Sequence, residues 1–530
     1  MKNKFIYLAI LAAGFASCEP EFENPVTTDD YSAGEADFSS YVAVGNSLTA
    51  GYMDGTVYKS GQANSFPNLL AQQFALVGGG AFTQPSYEDD VNNLGGISGI
   101  PGFGTRLVID AAQGRPEPLV GTPTITLAPQ ATAYNNMGVP GAKSFHLVAP
   151  GYGNAAGLAL GQANPYFVRH ATSSTATVIG DAMMKNPTFF TNWIGNNDVL
   201  SYATSGGTRP DNPGTPEDES LLPATDQTGN PNAASYGSND ITDPTLFAGV
   251  YTQLIAALTS NGAKGVVATI PNVTSIPYFT TVPYAPLSPA ALGGSANIDA
   301  LNAQLYGPLN GIFTAYGEPN RVKLLSAASA NPILIYDVDA IDRSAEITGA
   351  LTPSLGAPTA TAFGAVFGKA RQATAEDLVV LPASSVIGTP NASSPSPLIN
   401  LNGVSYPMPS KWVLTANEQA KVEAATTAYN NAIVSIAATN DLAVADMNVI
   451  LNQLVSGLRA DNGTLYTANY FSGGTTEFKV LFSLDGVHPN ARGYSVIANE
   501  IIKVINEFYN AKLPLLNPNN YPGIHIVPTN

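Results

Sequence analysis

Cysteine is almost missing from this chain: Cys18 is the only one in 530 residues, so no disulfide can form within it. Basic residues are also scarce. There are 22 Lys and Arg against 39 Asp and Glu, a formal net charge of −17, which speaks against a nucleic-acid backbone as partner. Charge of either sign makes up only 12% of residues while 45% are apolar, and that balance excludes wholesale disorder and coiled coil. No apolar run reaches the about 18 residues that a membrane-spanning helix requires. His146, His170 and His525 have no Cys or His at metal-ligand spacing, and no Gly-rich phosphate loop precedes a Lys, so neither a metal nor a cofactor is expected. Present in quantity are 50 Gly and 40 Pro, the composition of a loop-rich globular chain.

Lys2 and Lys4 precede an apolar stretch over 5–15, followed by Ala16, Ser17 and Cys18. This is the layout of a secretory signal with small residues before the cut. With a cysteine directly after the cut, the segment resembles a bacterial lipoprotein signal, from which Phe15 departs by replacing the usual aliphatic residue. The resemblance implies loss of residues 1–17, lipidation of Cys18 and tethering to a membrane. An ordinary signal with an incidental cysteine is the plain alternative. Glu19, Glu21 and Glu23 then open a stretch to residue 36 with little to bury, read as a flexible acidic linker. Acidic residues at this place resemble the tags that send some lipoproteins to the outer face of the outer membrane, and they equally suit a solvated linker. The expected location is thus the outer membrane, after export.

Beyond the linker the pattern alternates between strand and helix. Strands are expected at 41–44, 188–194, 265–270 and 442–446, each apolar and bounded by turn residues. Helices are expected at 66–77, at 244–258 behind an Asp243-Pro244 cap, at 415–438 behind a Thr415/Glu418 capping box, and at 494–508. In the second of these, Leu246, Phe247, Val250, Tyr251, Leu254, Ile255 and Leu258 fall on one stripe. Strands separated by amphipathic helices predict an α/β fold, with a parallel sheet covered on both sides. Three stretches, at about 79–130, 200–242 and 276–410, exceed what that count needs and read as insertions in one domain over 37–515; 516–530 reads as a tail. The third insertion holds a helical pattern over 298–313 and strand-like runs at 333–335 and 378–381.

Ester hydrolysis by a serine needs a nucleophile, an oriented base and donors for the oxyanion. Ser47 follows the first strand in Gly45-Asn46-Ser47-Leu48, where a turn exposes its hydroxyl. His488 stands in Asp485-Gly486-Val487-His488-Pro489, so that Asp485 can fold back to fix its tautomer, with Pro489 suited to the first turn of the helix that follows. Asn197, in Gly195-Asn196-Asn197-Asp198, and Gly141, in Pro140-Gly141-Ala142, offer an amide and a backbone N–H. Taken singly, each of these is ordinary turn or cap chemistry.

Taken in order, they resemble the SGNH hydrolases, the GDSL lipase and esterase family: Ser47, Gly141, Asn197 and His488 fill the four blocks, over about 38–200, 243–275 and 412–510. The resemblance implies a flavodoxin-like three-layer α/β/α sandwich, a Ser47-His488-Asp485 triad, and an oxyanion hole from the N–H groups of Ser47 and Gly141 and the Asn197 amide. Asn46 departs from the aspartate common before the nucleophile. The expected activity is that of a lipid-anchored carboxylic ester hydrolase. Weakly charged insertions tilt the substrate toward acyl lipids. A carbohydrate acetyl esterase stays open, with Tyr278, Phe279 and Tyr284 as stacking candidates, as does a non-catalytic binding lipoprotein. Asp337, Asp339 and Asp342 lack the spacing of a calcium loop and read as caps. Glu88, Asp89 and Asp90 read as a solvated loop, and Trp193 as a core residue beneath the site.

Overall fold

The computed structural model describes residues 30–210, 221–460, 463–472 and 479–530. Cys18, the signal and the linker up to residue 29 lie outside the described residues.

Five strands form the central sheet: β1 (Tyr41–Gly45), β2 (Asn136–Gly138), β3 (Phe189–Trp193), β4 (Lys264–Ala268) and β5 (Ala443–Ala445). All pairings are parallel and the order is 2-1-3-4-5, so the winding reverses between β1 and β3. Alternation sorts the side chains onto two faces. Val42, Val44, Phe190 and Val267 point into one core, and Tyr41, Ala43, Phe189 and Val266 into another.

Seven helices matter for the site: α1 (Ser47–Ala50), α2 (Phe66–Ala75), α3 (Asn197–Thr204), α4 (Pro244–Thr259), α5 (Ala416–Thr439), α6 (Met447–Ser456) and α7 (Ala491–Phe508). Helices α4 and α5 pack on the first face, where Phe247 stacks on Tyr429 at 4.2 Å, and α2 and α7 cover the second. Sealing a large apolar side chain in such a core contributes about 1.5–3 kcal/mol. Asp243 accepts the Leu246 N–H at 2.7 Å, and the Thr415 N–H reaches Glu418 at 2.8 Å, so both helix starts carry the caps the sequence signals.

Several boundaries differ from the sequence reading. The linker ends earlier than residue 36: Ser32 bridges Lys512, Glu35 N–H bonds the Tyr509 carbonyl, and Ala36 is buried. Helix α7 starts at Ala491 with Asn490 as its cap, which leaves Pro489 ahead of the helix and not in its first turn. The tail is not free either. Ile526–Val527 pairs with Leu107–Asp110, itself paired with Arg115–Pro118 inside the first insertion. The second insertion begins inside α3 and holds the pair Thr208–Pro210 and Leu221–Pro223; its residues 211–220 lie outside those described. In the third, Ser295–Leu301 and Gly307–Ala315 enclose a π-helical turn, Leu334–Tyr336 pairs with Ala370–Gln372, and Leu378–Val379 pairs with Val413–Leu414.

Asp89 and Asp90 correct the solvated-loop reading. Asp89 pairs with the buried Arg169 at 2.9 Å, and Asp90, 1% exposed, accepts the N–H groups of Lys59, Leu94 and Gly95. These carboxylates pin the first insertion to the body of the fold, and only Glu88 of the three is exposed.

Candidate active site

Parallel strands aim their carboxyl ends at one rim, and the winding reversal between β1 and β3 opens a crevice there. Ser47 follows β1, Gly141 follows β2, Asn197 follows β3, and the loop carrying Asp485 and His488 leads into α7.

Ser47 begins α1. Its neighbour Asn46 is fully buried, accepts the Leu48 N–H at 3.1 Å and donates to Asn196 Oδ1 at 3.0 Å. An amide thus serves both directions where the family resemblance expects a carboxylate, with no charge buried.

The His loop is a hairpin: Ser483 N–H bonds the His488 carbonyl at 2.7 Å and Asn490 N–H bonds the Leu481 carbonyl at 2.8 Å. Within it, Asp485 Oδ1 accepts the N–H groups of Val487 and His488 at 2.9 and 2.8 Å. Its other oxygen faces His488 Nδ1 at 2.9 Å, and His488 Nε2 lies 2.8 Å from Ser47 Oγ. Burial works to raise the Asp485 carboxyl, but the imidazole's charge and hydrogen bond and the two backbone donors outweigh it and hold Asp485 below the ordinary carboxylate range. An ionised Asp485 only accepts, so Nδ1 bears the proton and Nε2 accepts from the Ser47 hydroxyl. Tyr52 covers the imidazole, ring centres 4.5 Å apart, and its N–H bonds the Ser47 carbonyl at 3.0 Å.

Asn197 is buried, and its amide donates to the Ala142 carbonyl at 2.9 Å, leaving a second N–H. Gly141 lies beside the cleft, not in its lining; its φ of +78° is the left-handed conformation that glycine adopts without strain. Neither the Gly141 nor the Ser47 N–H donates to any acceptor among the described residues. Asp198, to which sequence reasoning gave no role, clamps this corner: it accepts the Ser144 N–H at 2.8 Å and the Ser144 hydroxyl at 2.7 Å, tying the Gly141 loop to α3. The Gly-x-Asn-Asp motif carried that signal.

Ser47 and His488 line a cleft of about 860 Å³ counting its open mouth. Its walls are apolar: Trp193 and Leu200, Val273 and Ile276 after β4, Met447, Ile450, Leu451 and Leu454 from α6, Phe482 and Val487, and Val496 and Ile497 from α7. Trp193 packs edge-on against Phe66 at 5.7 Å, so it is both core and cleft floor. The sequence reading did not single out α6, though its apolar residues recur at helical spacing.

The remaining candidates lie outside the cleft lining, although the Tyr278 N–H bonds the Gly486 carbonyl of the His loop at 2.9 Å. Phe279 is buried in the core, edge-on to Tyr278 at 5.1 Å, the Tyr278 hydroxyl donates to the Thr204 carbonyl at 3.2 Å, and Tyr284 is exposed. Asp337 pairs with Arg371 and bonds the Asp339 N–H, while Asp342 caps Ser344. His170 is buried and His146 half-buried, and desolvation pushes each down to about 3. Among the described residues, no three His, Cys, Asp or Glu side chains are placed to hold a metal ion, and no described helix is long and apolar enough to cross a membrane. Comparison with family models, with curated proteins and with solved structures finds no match.

Proposed function

We propose that this protein is a serine ester hydrolase of the SGNH type, built on the flavodoxin-like three-layer fold and acting on acyl-lipid esters. The observation that carries the reading is the bonded chain Ser47–His488–Asp485 at the mouth of an apolar cleft. His488 takes the proton as Ser47 Oγ attacks the acyl carbonyl, then gives it to the departing alcohol; water repeats the sequence to free the acid. Asp485 keeps the imidazole in the productive tautomer. The N–H groups of Ser47 and Gly141 and the Asn197 amide receive the oxyanion.

The cleft supports the acyl preference. Each methylene moved from water into an apolar wall contributes about 0.8 kcal/mol. On p-nitrophenyl esters, octanoyl is therefore expected to exceed acetyl in kcat/KM by about ten- to a hundred-fold. A flat series, or an acetyl optimum, would turn the reading toward a deacetylase; failure of a fluorophosphonate probe to label Ser47 in folded protein would turn it toward a binding protein.

The export signal adds the location: an outer-membrane lipoprotein held by acylated Cys18. Expressed in a bacterial host fed an alkynyl fatty acid, the full chain is expected to carry the label and Cys18→Ala to lose it. Equal labelling of both would remove the anchor from the proposal.

A further inference from the structure

Between α1 and the helix Lys59–Ala63 the chain makes a tight turn that runs along the His loop. Asp54, at its tip, is 6% exposed and left-handed, with φ +53°. Its Oδ1 accepts the Leu484 N–H at 3.0 Å and its Oδ2 accepts the Tyr58 hydroxyl at 2.8 Å. Its own N–H donates to Ser483 Oγ at 3.0 Å, and that hydroxyl donates to Asp485 Oδ1 at 3.0 Å. The next residue, Gly55, donates its N–H to Asp485 Oδ2 at 3.2 Å. Two short segments more than 400 residues apart are thus zipped together, with a carboxylate on each side.

We propose that Asp54 is a positioning residue for the Asp485–His488 pair, a second carboxylate that holds the loop bearing Asp485 and lends it negative charge. The inference rests on the hydrolase reading above. The groups facing Asp54 are Tyr58 on its own segment, Arg106 from the first insertion, Asp485 on the His loop, Tyr470, and Tyr494 on α7. Arg106 is the one cation among them. It donates from Nε to the Asn93 carbonyl and lies over the Tyr58 ring at 5.1 Å, and it forms no ion pair with Asp54.

A neutral residue would hold this geometry more cheaply. Asparagine suits the left-handed conformation, offers the same acceptor to Leu484 and reverses the Tyr58 contact, its amide N–H donating to the phenol oxygen where the carboxylate accepts from the hydroxyl. Burial, aided by Asp485, pushes the Asp54 carboxyl up to about 6, against the Leu484 and Tyr58 hydrogen bonds and Arg106. A carboxyl raised on folding contributes stability below its unfolded value that is lost as pH rises through the folded value. At neutral pH the ionised Asp54 therefore costs stability. That charge lies behind the pair that must become imidazolium and carboxylate as Ser47 attacks, and it favours that ionised form.

Asp54→Asn separates positioning by charge from mere packing. Against wild type it is expected to melt no lower at pH 7, to lose about ten-fold in kcat with KM unchanged, and to move the acid limb of kcat/KM to lower pH. Asp54→Ala, which also releases Leu484, is expected to lose more. An Asp54→Asn protein with wild-type kcat, or with its acid limb unmoved, overturns the proposal. Fluorophosphonate labelling of wild-type Ser47 in the same experiment keeps the two readings apart: no labelling removes the hydrolase, whereas labelling at equal rates in wild type and variant removes only Asp54.

Discussion

Ser47→Ala is expected to lower turnover of an acyl ester by about 10³-fold or more while leaving the melting temperature near that of wild type. The Ser47 hydroxyl has His488 Nε2 as its partner, at 2.8 Å, and the imidazole is 13% exposed, so water can replace the lost hydroxyl. His488→Ala is expected to cost as much. The double variant should be hardly slower than either single one, because serine without its base and base without its serine are each half of one proton transfer. Asn197→Ala belongs in the same series with a smaller loss, about 10²- to 10³-fold, if its second N–H meets the oxyanion. Single-turnover kinetics with melting curves on the four proteins decides the matter. Near-wild-type turnover in Ser47→Ala or His488→Ala would remove the mechanism, and additive losses in the double variant would remove the coupling.

What the sequence made legible was whatever acts locally or repeats. Helix α4 could be read because a cap, a proline and an apolar stripe all mark the same sixteen residues. The candidate residues Ser47, Asp485 and His488, which the fold brings together, could be singled out because each block sits next to a strand end or helix start. Strand β2 could not: Asn136-Met137-Gly138 is three residues long and shows no alternation, and only the register against Ala43, Val44 and Gly45 makes it a strand. Charge was legible as composition and not as placement. Asp89 and Asp90 look solvated until Arg169, 80 residues later, arrives beside Asp89. Asp54 gave no signal at all, since its partners Leu484 and Ser483 are distant in sequence and contribute a backbone N–H and a hydroxyl that no motif encodes.

Strand β2 also accounts for the second large effect, expected from Gly138→Ala. Gly138 is buried at the end of β2, paired with Gly45, and α1 crosses directly over it. A methyl group there would lie 2.6 Å from the Thr49 carbonyl carbon and 2.8 Å from the Ala50 Cα, and it would press on the Ala50 nitrogen. These are backbone atoms, which no rotamer change can clear. The Asn136 amide holds the same turn by donating to the Thr49 carbonyl at 2.9 Å, so α1 cannot simply lift away. Relief must come from shifting α1, at an overpacking cost of about 1–3 kcal/mol. Because α1 is a single turn, the shift reaches Ser47 at its start. A misplacement of about 1 Å at a reacting atom costs about 10²-fold. Gly317→Ala, in the third insertion and outside the cleft lining, is the control: its methyl would meet nothing within 4 Å, so only the strain of its left-handed backbone, about 1–2 kcal/mol, opposes it. Fluorophosphonate labelling rates and melting temperatures for the pair test this. Gly138→Ala labelling as fast as wild type would show that α1 tolerates displacement and that β2 does not set the position of Ser47.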